Sequence, residues 1–247
     1  MNWVLLRGLT REARHWGELP QQLAAAGDAA VMLDLPGNGA FCGQRSPATV
    51  RAMVLAARAQ LRLQGVAPPW RLLAMSLGGM VATDWAQQFP HEVAALVLVN
   101  TSMRPFSGAT DRLRPGNWPS LLRLAAFWRD AAGTEEIIHR LTCQRTDTRQ
   151  QDLAAWQQIR RSAPVTAGNA GRQLWAAARF CAAPEAPACP VLLLSSARDA
   201  LVHPRCSAAL ARAWQLEHRV HPWAGHDLPH DDPGWVCRSI AGWSGGR

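Results

Sequence analysis

Short apolar runs alternate with amphipathic stretches along most of this 247-residue chain, and no other feature limits its possible folds as much. The runs Asn2–Leu6, Ala29–Leu33, Trp70–Met75, Val93–Val99 and Val191–Ser195 have strand length and few polar breaks, as strands covered on both faces do, and the more polar Glu217–His221 reads as a further strand. Between them, Trp16–Ala26, Pro47–Gln64, Ser76–Phe89, Pro204–Trp214 and Pro233–Trp243 carry apolar residues at helical spacing. Ser46 is placed to cap the second of these, with Pro47 in its first position and Gly65 beyond its end. Strand followed by helix, repeated, predicts an α/β fold: a mostly parallel sheet of about six strands with helices on both faces.

The alternation stops between residues 102 and 187. Ser120–Ala131, Glu135–Leu141, Gln150–Arg161 and Gln173–Ala182 read as consecutive helices with no strand between them. The expected organisation is a core of residues 1–101 and 188–247, with a helical cap of residues 102–187 inserted in it. In open parallel sheets ligands bind at the carboxyl ends of the strands, so chemistry is sought where strands end.

Composition removes several function classes. All 26 basic residues are Arg, so a P-loop lysine, a Schiff-base lysine and a Ser-Lys dyad are impossible. The net charge of +8 is scattered, without a basic run or aromatic interleaving, and nucleic acid is not an expected partner. No apolar run reaches the roughly 18 residues of a membrane span. Met1–Gly8 lacks the pattern of a secretory signal, so a cytoplasmic location is expected. The six cysteines form no C-x-x-C pair and no zinc-type cluster in sequence, so no metal and no cofactor are expected.

One strand runs straight into a helix through Ala74-Met75-Ser76-Leu77-Gly78-Gly79. Small residues two before and two after Ser76 permit a sharp turn with the hydroxyl at its apex. Such a turn also aims the Leu77 backbone N–H, backed by the helix dipole, at a carbonyl that Ser76 would attack. A serine hydroxyl is a weak nucleophile and needs a base and a group to orient that base. His226, in Ala224-Gly225-His226, follows the last strand and is the candidate base. Asp199, four residues beyond Val191–Ser195, is the candidate acid. His221 and His230 lie near His226 and read as packing or surface residues, as do His91 and His139. The loop Arg7-Gly8-Leu9-Thr10 after the first strand can offer a second N–H, assigned to Leu9, so that Leu9 and Leu77 form an oxyanion hole.

With these pieces in place the chain resembles the α/β-hydrolase fold superfamily. The matching segments are Leu5-Leu6-Arg7-Gly8 with Trp16, Leu33 to Gly39, Met75 to Gly79, Ala94–Asn100, Asp199 with Val202 and Pro204, and Gly225-His226 with Pro233. In its core the chain is most similar to small carboxylesterases such as the pimeloyl-carrier methyl-ester esterase. The resemblance implies the order Ser76, Asp199, His226 for the triad and a core that lacks the family's two leading strands. Three positions depart from the family pattern: Arg7 replaces the usual His, Ala74 the usual Gly, and Ala40-Phe41 follow the Pro-Gly-x-Gly turn where a Ser often stands.

The expected function is therefore hydrolysis of a small-molecule carboxylic ester or thioester through an acyl-enzyme. Cleavage of a carbon–carbon bond or a lactone on the same triad, and non-catalytic ligand binding, are the alternatives. Arg7, Arg104 and Met103 are candidate substrate contacts, with Arg112 and Arg114 close to them in sequence. A carboxylate or phosphate on the substrate would suit these arginines. The four Trp of the insertion (Trp118, Trp128, Trp156, Trp175) are expected mostly as packing residues. The oligomeric state is left open by the sequence.

Overall fold

The computed structural model describes residues 3–246, so Asn2, the expected first residue of the first strand, lies outside the described residues. Six strands form one sheet: β1 (Trp3–Leu6), β2 (Ala30–Leu33), β3 (Trp70–Met75), β4 (Val93–Val99), β5 (Val191–Ser196) and β6 (Glu217–His221). Their order is β2-β1-β3-β4-β5-β6, and every neighbouring pair is parallel. All carboxyl ends therefore lie along one edge.

The strand residues explain why both faces are covered. Val4, Leu6, Leu72, Ala74, Leu96, Leu98 and Leu193 point to one face, where α2 (Val50–Leu63), α3 (Leu77–Gln88) and α9 (Arg205–Trp214) pack on them. Trp3, Leu5, Leu73, Val97, Leu192 and Leu194 point to the other, under α1 (Leu19–Ala25) and α11 (Pro233–Ala241). Along the central strands the period of two is thus apolar in both phases, as burial on both faces requires, whereas in the edge strands β2 and β6 only Leu33 and His221 are buried.

Between β4 and β5 the chain forms α4 (Ala109–Arg112), α5 (Trp118–Ala126), α6 (Ala131–Thr142), α7 (Arg149–Ser162) and α8 (Ala167–Arg179). A further short helix, α10 (Leu228–Asp231), precedes α11. Among the described residues no helix is long and apolar enough to cross a membrane.

Several helix starts differ from the sequence expectation: α6 begins at Ala131, not Glu135, and α8 at Ala167, not Gln173. Trp16 ends a 3-10 turn, Ala13–Trp16, closed by reciprocal Glu12 and His15 capping bonds; Gly17 then takes φ 55° and α1 begins only at Leu19. The helix expected from Pro47 starts at Val50 and is capped by Thr49. Ser46 is drawn elsewhere: its Oγ donates to the Pro36 carbonyl (2.8 Å) and its N–H to Asn169 Oδ1 (2.9 Å), so it cannot also cap a helix.

The first turn of α3 packs against the end of β1 at Gly78. A Cβ there would stand 2.3 Å from the Leu6 carbonyl oxygen and 2.6 Å from that of Arg7. Both obstacles are backbone and cannot rotate away. Gly78→Ala is expected to cost about 1–3 kcal/mol through overpacking, read as a lowered midpoint in urea unfolding.

Candidate active site

Ser76 joins β3 to α3 with φ 54° and ψ −119°, a backbone region that side chains rarely adopt. The turn is held from three sides. The Ser76 N–H extends the β3–β4 pairing by donating to the Val99 carbonyl (3.0 Å), Thr101 Oγ1 donates to the Ser76 carbonyl (2.8 Å), and Gly8 packs on the side chain. A Cβ on Gly8 would lie 3.1 Å from Ser76 Cβ. The Ser76 hydroxyl makes no capping bond to α3, so the simple reading of Ser76 as a helix cap does not apply. Ala74 is fully buried between Leu6 of β1 and Leu98 of β4, and the sharp turn forms with Ala in place of the family's Gly.

His226 and Asp199 meet as the sequence order predicts. The imidazole Nδ1 lies 2.7 Å from Asp199 Oδ2, and both residues are almost wholly buried. The other carboxylate oxygen accepts the N–H groups of Leu201 and Val202, both at 2.9 Å. The Asp199 loop is also gripped from the segment between β4 and β5, where Arg114 donates to the Asp199 carbonyl (2.9 Å) and Asn117 to that of Ala200 (2.6 Å). Burial pulls the His226 imidazole down. The charge and hydrogen bond of Asp199, helped by Asp227, outweigh it and raise the pKa above the usual 6.5.

Ser76 and His226 line one cavity of about 310 Å³, without a hydrogen bond between them. Its walls are apolar: Leu113, Leu121, Leu124, Trp128, Ile138 and Leu174 come from the helices between β4 and β5, and Leu9 and Met75 from the strand ends. In the loop after β1, the Thr10 N–H donates to Gln173 Oε1 (2.8 Å) and the Arg11 N–H to the Gly8 carbonyl (3.2 Å). Leu9, half-buried on the cavity wall, follows Gly8 directly, and Leu77 is the first residue of α3, where an N–H has no partner within the helix.

Of the expected substrate contacts, Arg7 lines the cavity but its guanidinium is engaged with Asp227, at 2.9 Å and 2.5 Å through two parallel bonds, and lies over Trp16. Met103 is buried in the core beside α3 and α9, and Arg104 is exposed; neither lines the cavity. Arg112 donates to the Ala177 and Ala178 carbonyls at the end of α8. The four Trp divide: Trp156 is buried, Trp128 lines the cavity, and Trp118 and Trp175 are more than half exposed.

Three residues that sequence reasoning did not single out shape the site. Asn100, at φ 44° after β4, donates to the Gly225 (3.2 Å) and His226 (2.8 Å) carbonyls and accepts from the Ser196 N–H, so it ties the His226 loop to β5. Asp231 accepts the N–H groups of Gly225, Gln144 and Arg145. Gln173, fully buried on α8, joins the loop after β1 to Asn38 and Ser46. Asn100 stands at a strand's carboxyl end, but nothing in the sequence shows which backbone groups it meets. For Gln173, a lone amide within a helical stretch, there was no signal.

Comparisons with known proteins bear on the family and the fold. The family Hydrolase_4, described as serine aminopeptidase, S33, matches residues 2–233. The chain is 34% identical over 173 residues to the pimeloyl-[acyl-carrier protein] methyl ester esterase of Klebsiella pneumoniae (strain 342), a match covering 68% of this chain and 62% of that protein. Among solved structures it resembles a thermophilic esterase from Thermogutta terrifontis, with 26% identity, a TM-score of 0.74 and coverage of 98% and 89% of the two chains. The enol-lactonase of Burkholderia xenovorans shares the fold, with a TM-score of 0.77 at 17% identity over 97% and 90%.

Asp227 and Arg7 are each at most 3% exposed, so removing one partner leaves a buried charge. Asp227→Ala is expected to destabilise the chain by about 3–5 kcal/mol, whereas the double replacement Arg7→Met with Asp227→Leu recovers most of the loss. Urea unfolding of the three variants checks this.

Proposed function

The chain belongs to the Hydrolase_4 family of α/β hydrolases, and on that premise we propose that it is a serine hydrolase that cleaves a carboxylic ester or thioester with an apolar acyl group. One observation carries the proposal: the strained Ser76 and the Asp199-paired His226 stand on the wall of the same apolar cavity.

In this mechanism Ser76 Oγ attacks the acyl carbon. His226 Nε2 takes the hydroxyl proton and then delivers it to the leaving oxygen or sulfur. The Nδ1–H donates to Asp199, which holds the tautomer and stabilises the imidazolium. The Leu9 and Leu77 N–H groups receive the oxyanion, each worth about 2.7–4 kcal/mol in the transition state. Water, activated by His226, then releases the acid. The helices between β4 and β5 act as a cap, since they supply most of the apolar wall and would exclude water from the acyl-enzyme. A neutral, apolar acyl chain suits that wall, and the nearby Arg7 is already neutralised by Asp227.

A fluorophosphonate probe tests the reading directly. The native chain is expected to be labelled, and Ser76→Ala is not. A folded native chain that resists the probe would point instead to a ligand-binding protein on this fold. Among p-nitrophenyl esters, medium apolar acyl groups are expected to outpace charged ones.

The acid limb of the kcat/KM profile tests the base. His226 must be neutral to accept a proton, so activity falls as the pH drops through its pKa, and that midpoint is expected above 6.5. Asp199→Asn removes the charge that raises the imidazole. Turnover is expected to fall about 10⁴-fold. The limb should move to lower pH, because burial then dominates.

A further inference from the structure

Behind the His226 loop, three helices bring together donor atoms that no catalytic step uses. His139 lies in α6 and Cys143 directly follows that helix, one turn further on; His230 lies in α10, four residues beyond His226. The donor atoms of these three residues all lie within 4.8 Å of one another. Asp152 of α7 stands at the same place: its Oδ2 is 3.1 Å from His230 Nε2 and 3.6 Å from His139 Nε2. We propose that His139, Cys143 and His230 form a three-ligand site for a divalent transition metal of the zinc type, with Asp152 hydrogen-bonded beside the imidazoles.

The independent sign of a missing ligand is His139 Nε2. The His139 side chain is only 3% exposed, yet this nitrogen has no partner within hydrogen-bond distance, with Asp152 Oδ2 standing 3.6 Å away. Native proteins seldom leave a buried polar atom unsatisfied. A metal ion at this nitrogen would supply the missing partner. The spacing fits as well. In a tetrahedral zinc site with Zn–N near 2.0–2.1 Å and Zn–S near 2.3 Å, ligand atoms stand roughly 3.3–3.7 Å apart. The three-residue cluster, with its donor atoms within 4.8 Å of one another, needs a contraction of about 1 Å to reach that spacing.

The donor set selects the metal. Two imidazoles and a thiolate suit Zn²⁺ or Co²⁺ and are poor partners for Ca²⁺ and Mg²⁺, which take oxygen. On binding, a metal–sulfur bond replaces the Cys143 S–H bond, and the thiol proton leaves to solvent; no electron is transferred. The surroundings are built to hold the ligands. Trp156 packs on both rings, with centroids 5.4 Å from His139 and 5.1 Å from His230, and Thr148 Oγ1 donates to Asp152 Oδ2 (2.7 Å).

No step of the proposed hydrolysis uses these side chains, so the role is structural. The ion would join α6 and α7 to α10. Thr142 of α6 lines the catalytic cavity, and its carbonyl accepts the Asp227 N–H (2.8 Å), so the tie would steady the loop that carries His226.

The test is a Co²⁺ titration of the metal-stripped full-length chain, followed by Zn²⁺ competition. One equivalent of Co²⁺ is expected, with the visible bands of tetrahedral cobalt and a near-ultraviolet thiolate-to-metal band. Cys143→Ser should lose the thiolate band, and His230→Ala and Asp152→Asn should each weaken Zn²⁺ binding at least about tenfold. Cys181→Ser, at an exposed thiol outside the cluster, should change nothing. Should Cys143→Ser fail to fold, the His230→Ala titration decides in its place. Zn²⁺ should also raise the unfolding temperature of the native chain and leave that of His230→Ala unmoved. Substoichiometric binding by the native chain, or binding that survives His230→Ala at full strength, overturns the site.

Discussion

The left-handed backbone of Ser76 is the constraint around which the rest of the structure is arranged. A non-glycine residue held at φ 54° costs of order 1–3 kcal/mol, so the surroundings must over-determine it. They do so by close backbone approach. Gly78 lets α3 sit on the carbonyls of Leu6 and Arg7, Gly8 lets the loop after β1 lie against the Ser76 side chain, and Thr101 fixes the Ser76 carbonyl. The strands β1, β3 and β4 therefore all end at one residue. The parallel sheet makes this possible, because it delivers every strand's carboxyl end to the same edge.

Buried charge does the remaining work of alignment. Arg7 sits where the family usually carries His and precedes the loop that packs on Ser76; Asp227 follows His226. Their two parallel bonds connect the two catalytic loops directly. A second buried group, Arg11 and Arg160 on the two oxygens of Glu135, joins the loop after β1 to α6 and α7. In a chain whose only basic residues are arginines, the rigid guanidinium fork is used as a structural element. Arg7, Arg112 and Arg114, which looked like ligands for a substrate anion, all have partners inside the protein.

Much of the core was legible in the sequence. The six strands fall within a residue of the expected runs in every case that the described residues cover; for the central strands this is because a doubly buried strand must be apolar in both phases and little else is. Helix starts were less legible. Ser46 has the right type and place for a cap, yet its hydroxyl is claimed by Pro36 and its N–H by Asn169, partners that no local pattern announces. The roles of Gln173 and Asn100 were hidden for the same reason. Each joins segments far apart in the chain, and a lone amide in a sequence does not reveal which backbone it will meet.

Sequence alone was enough to determine the alternating architecture, the sharp turn at Ser76 and the pairing of residue types that became His226 and Asp199. These depend on local periodicity and on steric limits within a few residues. Only the tertiary structure decided that Arg7 faces Asp227, that the cavity beside Ser76 is walled by leucines from the insertion, and that His139, Cys143, Asp152 and His230 converge. Those contacts depend on how helices separated by tens of residues pack against one another, and packing is a property of the whole chain.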